Sequence, residues 1–362
     1  MLILVFFAIV FVFPFLFIRK NLEDKENVLD KRTTSFIKGM LCIFVMLHNL
    51  GLDYLHENWQ RPYSGGLWVA DSITESTGGI AVGIFFFLSA CGLLISYQKY
   101  GNKFLKKLLF KNAVKLYLVA VFINFLEWIF FFKNSFETKD AILRILNLDL
   151  FNHFNRMNRH GWFIASLLAL YLIFAIVFFI CSKLKTEKRV YIAGFIVIGI
   201  TLTLKILSMI FGEGGMYTRE LPCFAIGLGY GLYYKRLNPY AKKFFWPLII
   251  LGIIVYWIGL FLYEPVGSWA LCVLIVTTLQ KYTFKNKIIE KTGRICLGIY
   301  LFLHLSTLIY WNIFLSNVWL WVIVNAATIL GFTIVLEVII FGLTKLISLL
   351  FFKKENKNNK IA

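Results

Sequence analysis

The six cysteines of this chain form no CxxC pair and show no metal-ligand spacing, so the sequence offers no basis for a metal site or a dithiol redox pair. All six (Cys42, Cys91, Cys181, Cys223, Cys272, Cys296) fall within apolar segments and read as small core residues. The chain has no nucleotide-binding loop, no long low-complexity tract, no convincing internal repeat and no appended hydrolase-like domain. Acidic residues are scarce, 19 against 38 Lys and Arg, for a net charge of +19. A nucleic-acid role would account for that excess, but the placement of the charges argues against it.

What is abundant is apolar surface. Of 362 residues 59% are hydrophobic, and the mean hydropathy is +0.75. No soluble domain of this length could bury so much, so the bilayer is its solvent. About twenty apolar residues span a bilayer as a helix. About eleven stretches qualify: roughly 1–18, 36–52, 78–97, 113–132, 161–181, 190–211, 221–234, 245–262, 267–280, 295–312 and 318–350. The expected fold is all-α and integral to the membrane. Alternate connections hold 29 Lys and Arg, against 7 in the opposite set. Positive charge marks the cytoplasmic side, which puts the N-terminus outside and the C-terminus in the cytoplasm. The first stretch lacks a basic n-region and a small-residue cleavage site, so it reads as a retained helix and not as a signal peptide. The segment 133–160, with 53–78, is expected to cap the outer face.

Ionisable residues at membrane depth are costly and face a partner or a pathway. His48 lies deep in the second stretch, about 15 Å along the helix from Lys38. His304 sits about ten residues into the tenth stretch. Glu127, Lys205 and Glu337 are charges in or near spans, and Lys205 and Glu337 could pair.

Four motifs recur in a telling order. Lys38-Gly39 leads to His48. The third stretch reads Gly78-Gly-Ile-Ala-Val-Gly-Ile-Phe-Phe-Phe-Leu-Ser89-Ala-Cys-Gly92, followed by the basic run Lys103–Lys115. His160-Gly-Trp162-Phe163 opens the fifth stretch, and Gly293-Arg through Tyr300 to His304 opens the tenth. Together these resemble the acyltransferase-3 family, bacterial membrane O-acyltransferases that modify cell-surface sugars. The resemblance covers nearly the whole chain. It implies a ten-helix domain at 33–352, preceded by an extra helix and linker at 1–32 and followed by a basic cytoplasmic tail at 353–362. One departure stands out. The family's common signature has ten residues between a basic residue and His, whereas Lys38 and His48 have nine. At 100° per residue eleven positions return to within about 20° of the same face, and ten fall about 80° away. The aligned position is therefore Asn49.

The resemblance implies transfer of an acyl group, most often acetyl, from cytoplasmic acyl-CoA to a hydroxyl of an extracytoplasmic glycan or its lipid-linked precursor. No permanently bound cofactor or metal is expected. A neutral imidazole in an apolar tunnel suits a general base, so His48 is the first candidate and His304 the second. Asn49 or Ser89 could donate to a developing oxyanion, or Ser89 could bond its own helix and pack closely with Ala90 and Gly92. Lys38, Lys103, Lys106, Lys107, Lys111 and Lys115 supply cations for the CoA phosphates, with Lys106, Lys107 and Lys111 near i, i+4 spacing; topology and anionic lipid are the alternative use. Trp162 is a sugar platform or an interfacial anchor. Arg219-Glu220 is a candidate acceptor contact. The competing classes are a transporter or flippase for a lipid-linked glycan, and another membrane acyltransferase fold, the membrane-bound O-acyltransferases. The expected location is the bacterial plasma membrane; the acceptor and the oligomeric state are left open.

Overall fold

The computed structural model describes residues 17–20, 27–57, 66–133, 135–146, 148, 161–211, 218–262, 264–310 and 318–352. Helix α1 (Lys31–Glu57) starts where the Asp30 carboxylate accepts from the Thr33 amide at 2.7 Å, satisfying an open donor of the first turn. Helix α2 (Gly66–Tyr100) stops at Gly101, whose φ of 57° reverses the chain while its amide donates to the Tyr97 carbonyl. Helix α3 (Asn102–Phe132) is one rod with π turns at Leu108–Ala113 and Trp128–Phe132. The short α4 (Thr138–Ile145) follows, then α5 (Gly161–Cys181), α6 (Arg189–Phe211), α7 (Leu221–Lys243), α8 (Phe245–Leu262) and α9 (Glu264–Lys281). Helix α10 (Lys287–Arg294) is capped by Asn286, which accepts from the amides of Ile288 and Ile289. Helices α11 (Cys296–Tyr310) and α12 (Val318–Phe352) come last. A strand β1 (Ile18–Lys20) pairs antiparallel with β2 (Tyr282–Phe284).

Ten of the eleven expected stretches coincide with helices. The first, 1–18, lies outside the described residues except at its end, where Ile18 is extended in β1. Among the described residues four helices are long and apolar enough to span by themselves: Gly78–Tyr100, Asn102–Phe132, Gly161–Cys181 and Arg189–Phe211. Two further pairs meet that standard only jointly, α7 with α8 bent by 96° and α10 with α11 bent by 72°. Helix α2 is central, with 78% of its apolar window inside the protein, whereas α6 has 22%. Ile84, Phe86 and Leu94 of α2 pack with Phe174, Phe178 and Phe224 in the core. On the outside, Ile210, Phe211, Trp246, Ile250, Val335 and Val338 stand exposed, a surface that needs lipid. The chain is a multi-pass membrane protein.

Side-chain bonds gather the basic connections at one end of the bundle. Asn102 Nδ2 donates to Ser182 Oγ at 3.0 Å, joining the α2–α3 turn to the α5–α6 turn. Gln98 Nε2 donates to the Gly231 carbonyl at 3.3 Å and Gln280 Nε2 to Asn238 Oδ1 at 3.0 Å, so α2, α7 and α9 run parallel with their lysine-bearing ends together. At the same end α1 crosses α10. A Cβ on Gly39 would overlap the Ile289 carbonyl, and one on Gly293 the Ser35 carbonyl, so glycine alone permits this backbone approach. Arg32 Nε meets Glu290 Oε1 at 2.7 Å beside the crossing.

The expected outer cap behaves differently where it is described. Helix α4 folds back along α3, and its last carbonyls are met by α3 side chains. Asn124 Nδ2 donates to the Arg144 carbonyl at 3.0 Å and the Ile145 carbonyl at 3.3 Å, and Tyr117 Oη to the Leu146 carbonyl at 2.9 Å. Tyr117 is the midpoint of α3, so α4 lies along the flank of α3, burying Ala141 and Arg144 and leaving Ile142 and Leu143 exposed. The reason is chemical: a helix end in apolar surroundings must find donors for its open carbonyls, and α3 supplies them.

Candidate active site

Glu127 and His304 meet although 177 residues separate them. Both Glu127 carboxylate oxygens lie 3.2 Å from His304 Nδ1. The glutamate is fully buried, and the histidine side chain is 12% exposed. With the proton on Nδ1 the imidazole donates to the carboxylate, and that tautomer places the lone pair on Nε2. Glu127 is the last residue before the second π turn of α3, a widened turn of the kind found at functional sites. His304 is eight residues into α11, about 12 Å along it from Cys296. Beyond it that helix presents further polar contacts. Ser306 Oγ donates to Asn325 Oδ1 at 2.7 Å, and Thr328 Oγ1 to Tyr310 Oη at 3.0 Å, both across to α12.

His48 is buried on α1 against α2. A Cβ on Gly78 would overlap its imidazole ring, so Gly78 makes the seat for that ring. Helix α11 packs against both α1 and α3, so the three helices bearing His48, His304 and Glu127 adjoin. Asn49 Nδ2 donates to the Val45 carbonyl at 2.8 Å, so its amide already serves its own helix. Ser89 of α2 lies beside the Tyr171 hydroxyl of α5. Gly92 does not pack closely: a Cβ there would meet open space.

Arg219 is engaged by its neighbour, Nε to Glu220 Oε1 at 3.2 Å. Glu220 is buried, and its other oxygen accepts from the Cys223 thiol at 3.7 Å. Gly83 of α2 leaves room for that carboxylate and for Ser268 of α9. Trp162 is half-buried, its ring edge-on to Phe163, which in turn packs on Phe86 and Tyr300. His160, quoted with it in the motif, lies outside the described residues.

Of the lysines, Lys103, Lys106, Lys107 and Lys111 are exposed on the first turns of α3. The π turn at Leu108–Ala113 contains Lys111, and its i→i+5 geometry removes the α-helical i, i+4 stacking on Lys107 that the spacing implied. Lys115 Nζ meets Glu337 Oε2 at 3.5 Å, so the partner of Glu337 is Lys115 and not Lys205. Lys38 is half-buried at the basic end.

Two features escape a reading by motif. The Glu127–His304 pair could have been suspected, since a lone acid in one apolar run and a lone His in another each need a partner. Arg144 gave no such signal. It sits in a polar segment, yet it is buried, its guanidinium 4.2 Å from the Phe136 ring centroid and its Nη1 without a hydrogen-bond partner. Among the described residues no group of three His, Cys, Asp or Glu could hold a metal ion. The family model described as an acyltransferase domain matches residues 35–342. No curated protein matches the chain, and no solved structure does.

Proposed function

Because the chain belongs to the acyltransferase-3 family, we propose that it moves an acyl group, acetyl in the leading case, from acyl-CoA to a hydroxyl of an extracytoplasmic glycan or its lipid-linked precursor. The membrane is the bacterial plasma membrane, with the lysine-rich end in the cytoplasm. The observation that carries the chemistry is the buried Glu127–His304 pair.

Acyl transfer to a sugar hydroxyl requires a base for the hydroxyl proton and a carbonyl carbon within reach of the resulting oxygen. Glu127 accepts the Nδ1 proton of His304 and holds the ring in one tautomer and orientation. His304 Nε2 then takes the acceptor's proton, the hydroxyl oxygen attacks the thioester carbonyl, and CoA leaves as its thiolate. The apolar surroundings exclude water, which would otherwise hydrolyse the thioester. His48, seated against Gly78, is the second imidazole of this region and orients the acceptor or the carbonyl. Ser89, Asn49, Trp162 and Arg219 remain candidates for positioning the substrates. Lys38, Lys103, Lys107, Lys111 and Lys115 attract the CoA phosphates to the opposite end, as point charges and not as a bidentate fork.

The test is acetyl-CoA turnover and glycan acetylation by purified protein, comparing wild type with His304→Ala, Glu127→Gln and His48→Ala. Loss of a general base lowers kcat by about 10²–10⁴. We expect that loss for His304→Ala and a smaller one for Glu127→Gln. If only His48→Ala is inactive, His48 is the base and the Glu127–His304 pair is structural. A wild-type protein that does not bind acetyl-CoA would favour transport of a lipid-linked glycan without chemistry.

A further inference from the structure

Among the described residues the mechanism leaves one buried Arg or Lys unused. Arg144 is 8% exposed, and Nη1 of its guanidinium has no hydrogen-bond partner. A buried polar group without a partner is expensive, and a charged one more so, which makes this a position built for something that binds there. Its placement says where. The Arg144 carbonyl is held by Asn124 of α3 at 3.0 Å, and Asn124 lies three residues before Glu127 on the same side of that helix. The guanidinium is stacked on Phe136, whose ring packs against Phe132 at 5.9 Å between centroids. The side chain therefore extends from the level of Asn124 toward that of Phe132, the interval of α3 that contains Glu127. The ring covers one side of the guanidinium, and Nη1 is left with an N–H group that can grip an oxyanion.

Resting on the acyltransferase reading above, we propose that Arg144 binds an anionic group of the acceptor, a phosphate ester carried beside the hydroxyl that receives the acyl group. The donor's phosphates are not the ligand. Of the lysines proposed for them, Lys103, Lys107 and Lys111 stand on the first turns of α3, whereas Arg144 is anchored within one turn of the Glu127–His304 pair. The phosphate can belong to a soluble sugar phosphate or to the headgroup of a lipid-linked acceptor. Phe136 and the Asn124–Arg144 bond hold the cation in place beforehand, so little ordering is needed on binding.

Protein in phosphatidylcholine nanodiscs, without acyl donor, is titrated with glucose 1-phosphate and with glucose, reading the melting temperature and ³¹P line width. A second set of nanodiscs contains phosphatidylglycerol and no sugar phosphate. The proposal expects binding of at least one phosphate source and none of glucose. Arg144→Gln should weaken that binding about ten- to hundredfold, the loss of a hydrogen bond to a charged group, and Arg144→Lys should restore part of it. Stabilisation by glucose 1-phosphate alone identifies a soluble phosphate, and by phosphatidylglycerol alone a lipid headgroup. Absence of phosphate binding by wild type, or binding that Arg144→Gln and Arg144→Lys leave unchanged, overturns the proposal. If Arg144→Gln does not fold, Arg144→Lys and the wild-type preference for phosphate over glucose decide the matter. Because no acyl donor is present, Arg144-dependent binding in a protein that transfers nothing would sink the transferase reading and leave the phosphate site at Arg144 standing.

Discussion

Glu127 lies fully buried and faces His304 Nδ1 through both carboxylate oxygens. His304→Ala removes that partner from a carboxyl group that stays inside the bundle. Stranding an ionised carboxylate costs about 3–5 kcal/mol, whereas a protonated one that loses only its hydrogen bond costs about 1–3 kcal/mol. The emptied imidazole volume adds a cavity cost common to both charge states. Glu127→Gln keeps the shape, and its amide oxygen still accepts from Nδ1, so a loss under about 1 kcal/mol is expected. The informative comparison is the double variant. His304→Ala with Glu127→Gln retains the cavity but removes the stranded acid, and should be more stable than His304→Ala alone by about 2 kcal/mol. Thermal unfolding in lipid nanodiscs, followed by tryptophan fluorescence, gives the ranking: wild type near Glu127→Gln, then the double variant, then His304→Ala. A double variant no more stable than His304→Ala would refute the stranded-acid reasoning and reduce the pair to a neutral contact.

Three other outcomes follow from contacts elsewhere. Gly293→Ala drives a methyl into the Ser35 backbone, which cannot rotate away, so the α1–α10 crossing should lose about 1–3 kcal/mol and the melting temperature should fall. Gly92→Ala, which meets open space, is the control and should be neutral or stabilising by about 0.5–1 kcal/mol. Gly78→Ala drives a methyl into the imidazole of His48, so melting should change little while acyl transfer drops; unchanged transfer would remove His48 from the site. Replacing Lys103, Lys107 and Lys111 together with Gln should raise KM for acetyl-CoA about tenfold at low salt and much less at high salt, because exposed charges are screened. An unaltered KM would assign those lysines to topology alone.

The resemblance to the acyltransferase-3 family was readable from motif order, and the match over 35–342 agrees with it. The motifs were less reliable guides to what their residues do. Gly39 and Gly293 each sit beside a basic residue that drew the attention, yet the glycines themselves are where α1 and α10 touch backbone to backbone. Gly78 likewise turns out to be the seat of His48. Asn49, placed by helical phase on the expected face, spends its amide on Val45. A helical phase counted at 100° per residue also fails on α3, where two π turns shift every later side chain.

What the sequence by itself determined is the class of solvent, the run of apolar helices, the alternation of basic connections and the family. Each depends on composition or order along the chain, and apolar length and charge act locally. The tertiary structure alone decided which polar residues meet. Glu127 finds His304 across 177 residues and Lys115 finds Glu337 across 222. Helices that are apolar all round have no polar face to announce which side turns toward which neighbour. In such helices the partner of a buried charge is set by packing, by glycine crossings and π turns that rotate one rod against another. The docking of α4 on α3 is of the same kind. Its segment is polar enough to lie in water, yet the donors offered by Tyr117 and Asn124 hold its end against α3, where Arg144 is buried.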